Sequence, residues 1–159
     1  DAIDWCRDVL PKEHLDWLRG FEAGFALPLG RRGQLMLYHG SPDSNVVDLL
    51  SETAVDEFDR QLGPERAPVM AGGHTHVQMV RQHRGSLVVN PGSVGAPFLE
   101  FVNHGPPCIL PRAEYATVEA RGEDVSVTLH RVELDRHVLA KAALESRNPM
   151  RAALAAHYL

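Results

Sequence analysis

The chain has 159 residues, 44% of them hydrophobic and 23% charged, with a formal net charge of -5. This composition fits one globular domain with a sizeable core and excludes a disordered or fibrous protein. A mildly acidic chain has no long-range attraction for nucleic acid or anionic lipid, so any phosphate chemistry must draw on a local positive site such as a metal ion.

No apolar run approaches the ~20 residues that cross a bilayer. The two cysteines, Cys6 and Cys108, have neither the spacing of a disulfide framework nor that of a thiolate metal site. They are expected to be reduced thiols of a cytoplasmic protein. The sequence opens Asp1-Ala2-Ile3-Asp4-Trp5, already in a helical pattern and without a methionine, so it is expected to be cut from something longer.

Residues 3 to 9 and 11 to 19 read as two short helices, with Pro11 suited to a first helical turn and Leu15 and Leu18 on one face. Residues 24 to 29 and 34 to 38 read as strands around a Gly30-Arg31-Arg32-Gly33 turn. The second of them runs directly into His39-Gly40-Ser41-Pro42. Residues 53 to 62 read as an exposed helix with Val55, Phe58 and Leu62 as its apolar stripe, Thr53 as cap and Gly63 as stop. The apolar run 67 to 71 reads as a buried strand ending in Gly72-Gly73-His74-Thr75-His76. Ser86 to Val89 reads as another, ending in Asn90-Pro91-Gly92-Ser93-Val94-Gly95. Residues 98 to 111 show no period and read as a loop. Residues 113 to 120 and 125 to 134 pair as a hairpin, with Val125, Val127 and Leu129 on one face. Residues 136 to 145 and 149 to 158 read as closing helices. The pattern is mixed α/β, with strands that end in polar, glycine-rich loops, where open α/β sheets place their ligands.

Three of the nine histidines stand apart. His74 and His76 flank a single residue in a turn after a strand, where neighbouring imidazoles can reach one ion or two. His39 sits at the end of a separate apolar run, beside Gly40. If the two strands are neighbours, three imidazoles converge, and neutral imidazole suits Zn, Mn, Fe and Ni. The plainer readings are a pair of turn histidines and a core-edge histidine bonded to a carbonyl. For Asn90-Pro91-Gly92 alone the plain reading is a tight turn.

Taken jointly and in this order, His39-Gly40-Ser41-Pro42, Gly73-His74-Thr75-His76 and Asn90 through Pro97 resemble the signature of the calcineurin-like metallophosphoesterases, in particular their small bacterial and archaeal phosphodiesterase branch. The stretch from Trp5 to Phe21 and the hairpin 113 to 134 resemble further parts of that fold. The resemblance implies a four-layer α/β/β/α sandwich, of which residues 1–159 form the C-terminal part of a single domain. It implies two divalent transition metal ions (Mn, Fe, Ni or Zn), with His39 and His74 on the second metal and His76 on the first. The implied activity is hydrolysis of a small phosphodiester or phosphomonoester by a metal-bridged hydroxide. The alternative is a non-catalytic protein-binding scaffold on the same fold.

The family's Asp-x-His, Gly-Asp and Gly-Asn-His-Asp motifs do not occur in this sequence and are expected upstream. Three imidazoles without a bridging carboxylate cannot hold two ions close together, so these residues alone are expected to be inactive. They carry metal ligands and no assigned catalytic residue. Phe98 stands where the branch commonly has arginine, with Arg112 as a candidate replacement, and the 99–111 loop is long. Removal of upstream strands is expected to expose edges beside the runs 35 to 38 and 69 to 71, and thereby to favour homo-oligomers.

Overall fold

The computed structural model describes residues 2–159. The elements are α1 (Ala2–Val9), α2 (Lys12–Arg19), β1 (Gly24–Pro28), β2 (Gln34–Tyr38), α3 (Val55–Leu62), β3 (Val69–Ala71), β4 (Met79–His83), β5 (Ser86–Asn90), β6 (Arg112–Arg121), β7 (Asp124–Glu133), α4 (Arg136–Glu145) and α5 (Arg151–Ala156). Five strands form one sheet in the order β1-β2-β3-β5-β4, and β6 pairs with β7 in a second. The three central strands run parallel, β2 with β3 and β3 with β5, while β1 and β4 pair antiparallel at the edges. Parallel pairing matters for function because it brings the C-terminal ends of β2, β3 and β5 to one rim of the sheet.

Each face of the sheet is covered. On one face α3 buries Phe58 and Leu62 against Met70, Met79 and Val88, with Leu49 and Ala67 completing the cluster. On the other face Val69 and Val89 meet the inward residues of the hairpin, Ala116, Val118, Val125, Val127 and Leu129. The alternation along β7 therefore does what its pattern predicts, turning one row of side chains to a partner sheet. Helices α4 and α5 build a separate cluster of Ala140, Ala155 and Tyr158 around Ile109, with Ala96 and Phe98 beside it. Asp135 caps α4 by accepting from the backbone N–H of His137 at 2.8 Å and of Val138 at 3.3 Å.

Four expectations change. Strands β2 and β3 are both flanked by strands of this chain, so neither is an open edge. The edges are β1, exposed along its whole length, and β4. Helix α3 starts at Val55, with Ala54 at its N-cap and no side-chain cap. Thr53 instead closes a turn, its hydroxyl accepting from Leu50 N–H at 3.3 Å. The 98–111 loop has a paired neck: Phe98 bridges to Ile109, Leu99 N–H donates to Cys108 O and Leu110 N–H to Pro97 O. Finally, α2 buries no residue. Its Trp17 packs edge-on against Phe21, with ring centroids 4.6 Å apart.

Candidate metal centre

The rim is built from three loops. The first follows β2. Gly40 is required there because a Cβ would fall 2.8 Å from Ser44 O and 2.9 Å from Val47 N. Ser41 N–H donates to Ser44 O at 2.7 Å, and this tight fold returns the chain to Asp48 beside the rim. The second loop follows β3. Gly73 N–H donates to His39 O at 2.6 Å, which ties it to the end of β2. His74 and His76 then adopt φ of 66° and 58°. Residues other than glycine rarely take left-handed backbone, and such positions cluster at functional sites. The third loop follows β5, where Gly92 has φ of 82°. A Cβ on Gly92 would fall 2.1 Å from Glu114 Oε2.

These loops bring His39 and His74 together. His74 Nδ1 lies 3.3 Å from His39 Nε2, with ring centroids 5.2 Å apart at 69°. Zinc–imidazole bonds of about 2.0–2.1 Å in a tetrahedral shell put two ligand nitrogens about 3.3–3.4 Å apart. The observed spacing falls in that range and is also that of an N–H···N hydrogen bond between the two rings. The far side of the His74 ring supports the shared-ion reading, since its Nε2 lies 3.5 Å from Asp48 Oδ1. A carboxylate there favours the proton on Nε2 and leaves the Nδ1 lone pair toward His39. Partial burial, then the neighbouring His74 and His76, hold the His39 imidazole below the ordinary histidine range. It is therefore neutral at pH 7, as a nitrogen ligand must be.

His76 is oriented separately. Its Nδ1–H donates to Ala96 O at 2.8 Å, so Nε2 carries the lone pair. Its ring packs against Phe98 at 4.6 Å, and its backbone carbonyl accepts from Phe98 N–H at 3.0 Å. Phe98 thus stands on the imidazole as an apolar wall. Arg112 does not take its place at the rim: both Nε and Nη2 bind Glu114 Oε1, at 2.8 and 2.6 Å. Among the described residues, no three His, Cys, Asp or Glu side chains gather so as to hold one ion. The histidine pair and the separately aimed His76 do not close a metal shell among the described residues.

Two residues at the rim have roles there that the sequence leaves unassigned. Asp48 lies in the stretch between β2 and α3, which has no period. Asn90 looks like the start of a turn, yet its side-chain amide donates to Gly73 O at 2.6 Å and to Thr75 Oγ1 at 2.9 Å. Beside the rim, an open cleft of about 590 Å³ runs between Phe21, Phe25, Leu37 and Tyr38 and reaches His39.

Comparison with known proteins defines the class. The calcineurin-like phosphoesterase superfamily domain matches residues 7–110, and the chain belongs to that superfamily. Among solved structures it is similar to a metallophosphoesterase from Sphaerobacter thermophilus, at 22% identity and a TM-score of 0.67, over 100% of this chain and 68% of that one. It is also similar to a hypothetical protein from Pyrococcus horikoshii OT3, at 17% identity and a TM-score of 0.64, over 90% of this chain. The match spans 53% of the Pyrococcus protein's length. A wild-type Vps29 complexed with zinc from Entamoeba histolytica matches at 20% identity and a TM-score of 0.46, over 79% of this chain and 77% of that one. No curated protein matches the chain.

Proposed function

We propose that this chain supplies imidazole ligands to the metal centre of a phosphoesterase that hydrolyses small phosphodiesters or phosphomonoesters. His39 and His74 would share one ion, and His76 would bind a second through Nε2. The observation that carries this reading is the 3.3 Å approach of His74 Nδ1 to His39 Nε2 at the ends of adjacent parallel strands. Membership of a phosphoesterase superfamily supports it. Divalent ions bound there would supply the Lewis acidity that polarises a phosphoryl oxygen and lowers the pKa of water. The protein's own part is to aim the imidazoles, through Asp48 for His74 and the Ala96 carbonyl for His76. Phe98 and the cleft beside His39 would restrict water and shape the approach of an ester.

A two-ion centre needs a carboxylate between the ions; Asp48 contacts only the far side of the His74 ring, and no carboxylate completes a group of three ligands with these histidines among the described residues. Hydrolysis is therefore tested on the complete gene product. After chelation and dialysis, it is expected to cleave bis-p-nitrophenyl phosphate or p-nitrophenyl phosphate only when Mn²⁺, Fe²⁺, Ni²⁺ or Zn²⁺ is restored. Equal hydrolysis without metal would refute the mechanism. A product with neither metal uptake nor hydrolysis would move the reading to a binding scaffold.

A further inference from the structure

Asn90 ends β5 and is only 3% exposed, and its carboxamide is hydrogen-bonded through both Nδ2 and Oδ1. Nδ2 donates to Gly73 O at 2.6 Å and to Thr75 Oγ1 at 2.9 Å, while Oδ1 accepts from Gly92 N–H at 2.9 Å. The two acceptors sit on either side of His74. Thr75 is itself buried at 2% exposure, and its N–H donates to Gly73 O at 2.8 Å. The turn is thus tied to β2 through the bond from Gly73 N–H to His39 O, and to β5 through Asn90.

The turn needs such a tie. His74 and His76 hold left-handed backbone at φ 66° and 58°, a conformation that side chains with a Cβ avoid. Strained positions of this kind persist only when their surroundings over-determine them. The two bonds from Asn90 Nδ2 fix the turn toward β5, beside the bond from His76 Nδ1–H to Ala96 O. We propose that Asn90 is the positioning residue of the metal centre, its carboxamide holding the His74-Thr75-His76 turn so that His74 Nδ1 faces His39 Nε2. This rests on the metal reading. It goes beyond that reading by assigning the aim of the ligands to a side chain that never touches the ion.

The chemistry makes the assignment specific. Aspartate at position 90 would keep the shape and the acceptor for Gly92 but would lose both donors. Valine at position 75 would keep the volume of threonine but lose the hydroxyl acceptor, and serine would keep the hydroxyl. Wild type, Asn90→Asp, Thr75→Val and Thr75→Ser are each checked for folding by far-UV circular dichroism and titrated with Zn²⁺ by calorimetry. The Cα and Cβ chemical shifts of His74 and His76, which report left-handed backbone, are recorded on metal-free protein.

Asn90→Asp is expected to weaken zinc binding about tenfold or more, the usual effect of losing an outer-shell partner, and to shift the His74 and His76 backbone signals. Thr75→Val is expected to move both in the same direction, and Thr75→Ser neither. If Asn90→Asp does not fold, the two Thr75 variants decide. Folded variants that bind zinc like wild type with unmoved histidine signals would overturn the proposal, as would Thr75→Ser losing as much as Thr75→Val. Wild type that takes up no zinc sinks the metal reading, and the metal-free chemical shifts then still decide whether Asn90 holds the turn.

Discussion

Replacing Gly72 by alanine tests how closely β2 and β3 must approach to set the rim. Gly72 follows β3 directly and lies against Tyr38, the last residue of β2. An alanine Cβ would fall 2.2 Å from Tyr38 Cε2 and 2.7 Å from Cδ2, where an ordinary contact begins at 3.4 Å. The ring would have to retreat by about 1.2 Å, the difference between 3.4 and 2.2 Å. Tyr38 packs on the core cluster of Met70 and Val88, and its buried hydroxyl has no hydrogen-bond partner among the described residues. Overpacking of this kind costs about 1–3 kcal/mol. In a domain of this size that lowers Tm by roughly 2–12 °C. Tyr38→Val removes the atoms that clash, so Gly72→Ala in that background should cost close to nothing. It should even recover part of the cavity left by the ring. The assay is urea unfolding of wild type, the two single variants and the double variant by far-UV circular dichroism. Tryptophan fluorescence would report poorly, because Trp17 is exposed and both tryptophans lie in α1 and α2, outside the core. A Gly72→Ala cost that is the same in wild type and in the Tyr38→Val background would refute the steric argument. Because His39 follows Tyr38 and His74 follows Gly73, Gly72→Ala alone should also weaken zinc uptake, and the double variant should restore it in part.

Phe58 is fully buried, tilted against His83 at 5.0 Å and covered by the Arg81 guanidinium at 3.9 Å. Phe58→Ala should cost about 3–5 kcal/mol in the same unfolding assay, and a loss under about 1 kcal/mol would show that α3 is not fixed by this ring. Hydrogen bonds from His83 and Arg66, opposed by desolvation and helped by the charges of Arg84 and Arg66, hold the Asp59 carboxyl below its ordinary range. A carboxyl depressed on folding contributes stability above its unfolded pKa and loses it as pH falls through the lower folded value. Unfolding of wild type should therefore weaken below about pH 4 more steeply than that of Asp59→Asn, and parallel pH profiles would refute the role. Hydrolysis by the complete gene product should be abolished by chelation and restored by a divalent transition metal, and activity that survives chelation would contradict a metal mechanism.

The layers of the fold were legible because their side-chain periods are plain. Val125, Val127 and Leu129 alternate, and they pack on the five-stranded sheet. Phe58 and Leu62 recur at helical spacing and both are buried, while Val55, read with them as one stripe, is 55% exposed. What stayed hidden depends on partners distant in sequence. The apolar runs at 35 to 38 and 69 to 71 show that those strands are enclosed, and only the pairing of β1, β2, β3 and β5 shows by what. Thr53 has the chemistry of a helix cap, but a turn closed onto Leu50 takes its hydroxyl first, and Arg81 binds its carbonyl at 2.6 Å. At the site, the glycines and histidines announce themselves by type and spacing. Asn90 belongs to the motif stretch 90 to 97, but its role does not show, because an asparagine before Pro-Gly is ordinary turn chemistry, and one aspartate in a loop has no pattern to set Asp48 apart. Their positions beside the histidines come from tertiary structure alone. Arg112 shows the converse: a free-looking arginine near the motif is committed to the buried Glu114.

Whether His39 and His74 share an ion through the nitrogens that face each other is tested most directly by recording imidazole ¹⁵N chemical shifts during a Zn²⁺ titration of this chain. Zinc should move Nε2 of His39 and Nδ1 of His74 together, while Nδ1 of His76 keeps the proton it donates to Ala96 O. Zinc-induced shifts confined to His83, His130 or other histidines, or no shift at His39 and His74 at saturating zinc, would contradict a shared ion.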